Sequence, residues 1–349
     1  YRLTGTDTAV RREAVAELRR RVAGRRLALL GHPASLDGDL RHAVDLLTAP
    51  RRRGEYRMTA LLGPQHGLRG EKQDNMVESD DFFDPATGLP VFSLYGATRR
   101  LTPEMIDRFD VLLVDLQDVG VRVYTFLTTL GYILEDLDRR PDKEVWVLDR
   151  PNPTGRAVEG LTLRAGWESF VGLTEIPMQH GLTVGEFALH YRREQHLTTE
   201  LTVVPMTAWH PGDGAQPGRP WPTDRVWIPP SPNMPGLYTA RAYPGTVLLE
   251  GTTLSEGRGT TRPLSMLGHP EVDWDRVMDL LTDWDTRTGP RRVAERTEAD
   301  AAPGEYLFGC RVRRVTFQPT FHKHAGVPTP GLDIVAEGRF YDQIGRAHV

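Results

Sequence analysis

Cysteine is the scarcest residue: Cys310 stands alone in 349 residues, which excludes an internal disulfide framework and any metal site built on several thiolates. Lysine is nearly as rare. Only Lys72, Lys143 and Lys323 occur among 43 basic residues, and the other 40 are arginines scattered along the chain, a distribution that reads as coding bias rather than a binding patch. The net charge of −4 argues against nucleic acid or an anionic membrane as the main partner. No apolar run approaches the ~20 residues of a membrane-spanning helix, so none is expected.

Missing motifs narrow the chemistry further. Gly31-His-Pro-Ala-Ser35, after the first apolar run, lacks the Gly-x-Gly-x-x-Gly of a dinucleotide site, and no Gly-Lys-Ser/Thr phosphate loop occurs. A Gly-x-Ser-x-Gly nucleophile elbow is absent as well. These absences argue against a nicotinamide enzyme, a nucleoside triphosphatase and a serine hydrolase. Metal binding through His66, Asp115, His180 and nearby acids stays open, although no His-Glu-x-x-His spacing supports it.

What is present reads as an α/β protein. Hydrophobic residues make up 39%, enough for a sizeable core, and the length suggests two domains. Apolar strands at 26–31, 58–63, 89–94, 110–115 and 144–149 alternate with helices expected near 40–47, 102–108 and 121–137. Continuous apolar strands separated by helices imply a parallel sheet covered on both faces. From Pro205 to Pro235 the chain is dense in Pro, Gly and Trp, marking a long connection. Beyond it a helix is expected at 272–284, with β-rich segments at 306–317 and 331–340. The expected organisation is residues 1–235 as the catalytic domain and 236–343 as a smaller α+β domain.

In open parallel sheets, ligands bind outside the carboxyl ends of the strands, and polar clusters fall at those ends. They are Gly63-Pro-Gln-His-Gly-Leu-Arg-Gly-Glu71, Asp115-Leu-Gln-Asp-Val-Gly-Val-Arg-Val-Tyr124 and Asp149-Arg-Pro-Asn-Pro153. Later stretches add Gln179-His-Gly181, Pro230-Ser-Pro-Asn-Met-Pro235 and residues 250–262, and all are expected to converge on one crevice. Each has a plainer reading. Asp115 or Asp149 can cap the next turn, Gly251–Gly259 can be a turn only, and His66 or His180 can be a structural histidine. Together they suit sugar chemistry, in which two carboxyl groups flank the scissile bond. Amides bond hydroxyls, Trp and Tyr stack on rings, and Arg122, Arg258 or Arg262 can hold a substrate carboxylate.

At these clusters the sequence resembles the exo-β-N-acetylmuramidase (NamZ-type) family, long known only as a domain of unknown function. The matching stretches are residues 63–71, 89–96, 115–125, 148–153, 169–172, 180–186, 230–235 and 250–263, spanning about Leu27 to Gly338. The resemblance implies a Rossmann-like parallel-sheet domain followed by a smaller α+β domain, with a cleft between them. It also implies release of N-acetylmuramic acid from the non-reducing end of peptidoglycan fragments, with no cofactor. The lactyl carboxylate of that sugar gives the arginines a physical role. Substrate contacts are expected from His66, Arg69, Gln117, Arg122, Tyr124, Arg150, Asn152, His180, Asn233, Glu250, Glu256 and Arg258.

One departure bears on mechanism. Many members read Pro-Glu-His-Gly where this chain has Pro64-Gln65-His66-Gly67, and an amide transfers no proton as a carboxyl does. Either Glu71 nearby takes over the acid role, or Gln65, kept among the candidate catalytic residues, marks a subgroup with different chemistry, or the acids lie among Asp115, Asp118, Glu250 and Glu256, with Asp118 and Glu71 preferred. Glu186 reads as a helix residue after Thr183. Two other functions compete: a sugar-binding protein that has lost turnover, and a metal-assisted hydrolase of another carboxylated small molecule. Neither compartment is favoured by a single cysteine. Finally, Ile344-Gly-Arg-Ala-His-Val349 is what ATC GGA AGA GCA CAC GTC encodes, a string matching a common sequencing-library adapter. Residues 344–349 are accordingly expected to be a non-native tail, with the second domain truncated.

Overall fold

The computed structural model describes residues 8–49, 54–70, 72, 77–206, 221, 225–288, 306–307 and 310–336. The chain divides into two compact units. The first comprises Tyr1–Arg156, Leu163–Ile176 and Gly181–Pro232, and the second Ala157–Thr162, Pro177–His180 and Asn233–Val349.

The first unit opens with α1 (Thr8–Val22), β1 (Arg26–Leu30), α2 (Ala43–Thr48) and β2 (Arg57–Gly63). Next come the short edge strand β3 (Phe82–Phe83), β4 (Pro90–Ser93), α3 (Pro103–Asp107), β5 (Val111–Val114), α4 (Phe126–Asp136) and β6 (Glu144–Leu148). Two short strands of the second unit, β7 (Glu159–Thr162) and β8 (Pro177–Gln179), precede α5 (Val184–Glu194) and β9 (Glu200–Val204). The sheet order is β3-β4-β2-β1-β5-β6-β9, and every pair except β3–β4 is parallel. The chain therefore steps outward from β1 to β4, then returns to the other side of β1 with β5. That reversal is a topological switch point, where the connections on either side of β1 and β5 diverge and leave a crevice.

Burial on both faces explains the unbroken apolar strands. Leu27, Leu29, Val111 and Leu113 pack with Leu61, Val91 and Trp146 in one cluster, while Ala28, Leu30, Leu112 and Val114, alternating with them, are also buried. Each such Leu or Val contributes about 1.5–3 kcal/mol. Helix starts follow local chemistry. Thr102 accepts from the Met105 N–H at 3.3 Å with Pro103 in the first turn, and Thr183 with Glu186 forms a reciprocal capping box. Glu186 is thus a capping residue, also paired with Arg156.

Two helices start later than the sequence suggests. α2 begins at Ala43 rather than 40, because Leu40 has φ 61° and the His42 side chain caps the helix. α4 begins at Phe126 rather than 121. Asp118 Oδ2 accepts the Gly120 N–H at 2.6 Å, and a turn from Tyr124 N–H to the Val121 carbonyl follows at 2.9 Å. These local bonds hold the 118–124 stretch out of the helix.

The second unit has the antiparallel sheet β10-β13-β12-β11, from Met266–Gly268, Thr329–Ala336, Cys310–Phe317 and Tyr306–Leu307 respectively. Helices α6 (Leu237–Thr246) and α7 (Trp274–Thr288) accompany it. Ala242, Trp274, Met278, Cys310, Val312, Leu332 and Ile334 form its core. Residues 337–349, with the tail expected at 344–349, lie outside the described residues. Among the described residues, no helix is long and apolar enough to cross a membrane.

Candidate active site

The switch point between β1 and β5 is closed by a set of buried bonds. At the end of β1, the chain turns so that Ser35 Oγ accepts from the His32 N–H at 2.9 Å and donates to the Asp115 carbonyl at 2.6 Å. His32 Nε2 accepts from the Gln117 N–H at 2.7 Å, and Ala34 N lies 3.0 Å from the other ring nitrogen. The ring is fully buried and tilted against Phe126. Burial, then the charges of Arg150 and His42, hold its imidazole well below the usual range, so it stays neutral and accepts.

Asp115, the residue after β5, meets Arg150, the second residue after β6. Arg150 Nε and Nη2 donate to the two Asp115 oxygens at 2.5 and 2.9 Å, with side-chain exposures of 3% and 5%. Nη2 also donates to the Leu36 carbonyl at 3.1 Å. A bidentate guanidinium fixes the orientation of the carboxylate it grips. Arg150, expected to contact substrate, is therefore the counter-ion of Asp115. Neighbouring Asp149 accepts from Thr183 Oγ1 and the Gly185 N–H, each at 2.8 Å. Burial nevertheless outweighs those bonds and pushes its carboxyl up.

The turn after β2 brings Gln65 and His66 to the same edge of the sheet. Gln65 is buried, and its Oε1 accepts from Thr125 Oγ1 at 2.8 Å, which ties the β2 loop to the N-cap of α4. His66 sits at φ 73° with Nδ1 3.0 Å from the Lys72 carbonyl. Arg69 pairs with Asp84 at 3.2 Å. Burial alone would raise the Asp84 carboxyl, but bonds from Thr87 and the Arg69 guanidinium hold it below the usual range. Glu71 lies outside the described residues.

The loop after β5 supplies the other candidates. Asp118 is buried beside Gln117, whose Nε2 donates to the Asp118 and Pro151 carbonyls, both at 2.9 Å. Gly120, at φ +80°, lies against Asn152: a Cβ there would stand 2.2 Å from Asn152 Oδ1, so only glycine fits. Asn152 accepts from the Thr154 N–H at 2.9 Å and donates to the Leu182 carbonyl at 3.0 Å, so it shapes this packing. Arg122 donates to the Ile176 carbonyl at 2.5 Å, and the buried Tyr124 ring packs edge-on to Phe126.

The first unit thus assembles Gln65, His66, Arg69, Asp115, Gln117, Asp118, Arg122, Tyr124, Arg150 and Asn152 along one edge of its sheet. His180, Asn233, Glu250, Glu256 and Arg258 belong to the second unit. There Glu256 is fully buried, 3.2 Å from Arg258, 3.1 Å from His322 and 3.0 Å from Lys323. Arg258 also holds Glu250 at 2.6 Å, and Arg262 holds Asp333 at 2.8 Å. Arg258 and Arg262, both expected to clamp a substrate carboxylate, thus pair with carboxylates of their own unit. His32, Ser35 and Thr125 went unrecognised in the sequence. Their signal was position alone: His32 and Ser35 follow the first strand, and Thr125 immediately precedes α4. Among the described residues no group of three or more His, Cys, Asp or Glu is placed to hold a metal ion.

Comparison with known proteins agrees with this layout. Residues 27–238 match the family model "Exo-beta-N-acetylmuramidase NamZ, N-terminal", and residues 241–344 match its C-terminal counterpart. Peptidoglycan beta-N-acetylmuramidase NamZ of Bacillus subtilis (strain 168) is 36% identical over 340 residues, covering 96% of this chain and 73% of that protein. A DUF1343 family protein from Bacteroides fragilis NCTC 9343 superposes with a TM-score of 0.75 at 32% identity, covering 95% of this chain and 79% of that one. A second from the same organism gives a TM-score of 0.63 at 25% identity, covering 97% and 78%. With both halves matched in order, the chain belongs to the NamZ exo-β-N-acetylmuramidase family.

Proposed function

We propose that the chain is a glycoside hydrolase that releases β-linked N-acetylmuramic acid from the non-reducing end of peptidoglycan fragments. The observation that carries this reading is the buried bond between Gln65 and Thr125, which joins the β2 loop to the same β5–α4 connection that carries Asp115 and Asp118. Hydrolysis breaks the bond from the anomeric carbon to the leaving oxygen and adds water across it. One proton must reach that oxygen and another must leave the water, which is work for two carboxyl groups. Asp118 and Glu71 are assigned to it.

Asp115 is a positioning residue in this scheme. Its two oxygens are both taken by Arg150, so it braces the β5 loop rather than facing a substrate. Gln65 Oε1 is engaged by Thr125, so Gln65 holds the β2 loop against the start of α4. Arg122 is assigned the lactyl carboxylate, which a guanidinium recognises bidentately. The test is release of chromophore from an aryl N-acetylmuraminide, run with and without chelator. Steady release that is insensitive to chelator is expected. Tight binding of free N-acetylmuramic acid with no release would replace the enzyme reading by a binding protein disabled at Gln65. Chelator-sensitive release would replace it by metal-assisted hydrolysis.

A further inference from the structure

We infer that His32, seconded by Ser35, is a positioning residue for the Asp118 carboxyl: it holds the backbone that carries Asp118 and touches no substrate itself. The inference rests on the proposed glycosidase reading, in which Asp118 transfers a proton. It gives a function to a histidine that the strand-end clusters left out.

The pairing of β1 with β5 ends at Leu30 and Val114, and the Asp115 N–H donates to the Leu30 carbonyl at 2.9 Å. Beyond that bond two side chains of the β1 loop take over from the sheet. Ser35 Oγ donates to the Asp115 carbonyl at 2.6 Å, and His32 Nε2 accepts the Gln117 N–H at 2.7 Å. Gln117 in turn donates through Nε2 to the Asp118 and Pro151 carbonyls, both at 2.9 Å. The main chain is thereby held at 115, 117 and 118, and Asp118 Oδ2 accepts the Gly120 N–H at 2.6 Å. All of these residues lie within the first unit.

The imidazole serves as an acceptor. Both ring nitrogens face backbone N–H groups, that of Gln117 at 2.7 Å and that of Ala34 at 3.0 Å. A neutral imidazole offers one acceptor nitrogen and an imidazolium none, and the shorter contact marks Nε2 as the acceptor. Burial, then the charges of Arg150 and His42, disfavour the imidazolium. The ring itself is fixed in place. Ser35 Oγ accepts the His32 N–H at 2.9 Å, and the Phe126 ring lies 5.0 Å away at a tilt of 38°. Phe126 opens α4, so His32 touches both ends of the connection that carries Asp118.

Packing alone does not call for an imidazole here. A fully buried histidine gives up its hydration, a cost that a leucine or methionine in its place would not carry. What the ring adds is a rigid acceptor, and it is directed at the peptide N–H one residue before Asp118. Without that acceptor the Leu116–Gln117 peptide can turn, and Asp118 is the next residue along. Proton transfer needs its partners within hydrogen-bond reach, and a misplacement of ~1 Å can cost about a hundredfold in rate.

The test is a mutant cycle on an aryl N-acetylmuraminide. His32→Met should lower kcat about ten- to a hundredfold and change KM by less than about threefold. His32→Gln, which keeps an acceptor near the place of Nε2, should recover most of the loss. In an Asp118→Asn background His32→Met should cost less than about threefold more, because no carboxyl remains to be positioned. An equal loss of kcat in both backgrounds, or a change confined to KM, overturns the inference. Hydrogen exchange at the Gly120 amide reads the same geometry without turnover. Relative to the β2 amides it should be about tenfold faster in His32→Met and near the parent rate in His32→Gln. Unchanged Gly120 exchange also overturns the inference. If His32→Met does not fold, Ser35→Ala removes the companion bond and should show the same pattern at smaller size. A parent chain whose Gly120 exchange depends on His32 but which releases nothing retains the positioning and refutes the glycosidase reading alone.

Discussion

Replacing Gln65 by glutamate puts a transferable proton where the chain now holds an amide. Position 65 is 6% exposed and one hydrogen bond from Thr125, the N-cap of α4. A carboxylate there gains about 0.3–1 kcal/mol from the positive end of the helix, and the Thr125 hydroxyl becomes a charge-assisted donor, about 1 kcal/mol better than a neutral one. Burial acts in the opposite sense and is larger, several kcal/mol for an ion without a full counter-ion. The balance favours the protonated carboxyl, so Gln65→Glu creates an acid that keeps its proton above the ordinary glutamate range. That is the state in which a group can protonate a leaving oxygen.

Positioned general acids contribute about 10²–10⁴ in rate. With Asp118 and Glu71 already assigned to proton transfer, the gain on a disaccharide is expected at the low end, about ten- to a hundredfold in kcat. An aryl leaving group departs as a stable anion and needs no proton, so its rate should change by less than about threefold. The sign of the pH dependence follows. The new acid works only when protonated, so the variant's rate should fall as pH rises through its titration, adding a descending limb. The assay is kcat on both substrates from about pH 4 to 9, with Gln65→Met as control for losing the Thr125 bond. Unchanged disaccharide rates together with an unchanged pH profile would refute an acid position at residue 65.

Two further predictions concern the frame of the site. Arg150→Met strands the buried Asp115 carboxylate and should cost about 3–5 kcal/mol, while Arg150→Met combined with Asp115→Asn should recover most of it. Hydrogen exchange of the β1 and β5 amides measures both, and a double variant no more stable than Arg150→Met would contradict the pairing. The second concerns acid sensitivity. His32 stays neutral in the fold while the unfolded chain takes a proton near pH ~6.5, so its stability contribution is present above that pH and is lost as pH falls, by about 1.4 kcal/mol per unit. His42, lowered chiefly by burial, adds in the same direction. Denaturation between about pH 5 and 7 should show this slope in the parent and a shallower one in His32→Gln. A flat parent profile would exclude it.

The parallel sheet was legible because burial on both faces leaves a coarse signature. Leu27-Ala-Leu-Leu30 and Val111-Leu-Leu-Val114 tolerate no polar residue on either side, so each strand stands out as an uninterrupted run. Elements without that signature were not visible. β3 is two residues long with both side chains exposed, and β7 is largely exposed, so neither carries a pattern of core residues. The start of α4 was misplaced for a related reason. Val121-Arg-Val-Tyr124 has acceptable helical spacing, but the Asp118–Gly120 bond and the Asn152 contact with Gly120 hold the preceding turn, and both depend on tertiary placement.

The candidate site was legible by location and illegible by partnership. Strand-end Asp, Gln and Arg fall together at one edge of the sheet, as their positions after the strands imply. Which of them are engaged in structure depends on residues far along the chain: Arg150 lies 35 positions from Asp115, Thr125 60 from Gln65, and Lys323 67 from Glu256. Those pairings divide a row of chemically similar carboxylates into different physical classes. Asp115 is gripped by a buried guanidinium, and Glu256 is paired with Arg258 and Lys323, so both carboxylates are committed to ion pairs within the fold. Asp118 sits instead in the turn that precedes α4, where its Oδ2 accepts the Gly120 N–H. A carboxyl that must gain and lose a proton in each turnover is better placed on such a turn than in the bidentate grip of a buried guanidinium. That difference in setting, rather than proximity to the Gln65 turn, is why Asp118 is assigned to the chemistry and Asp115 to its support.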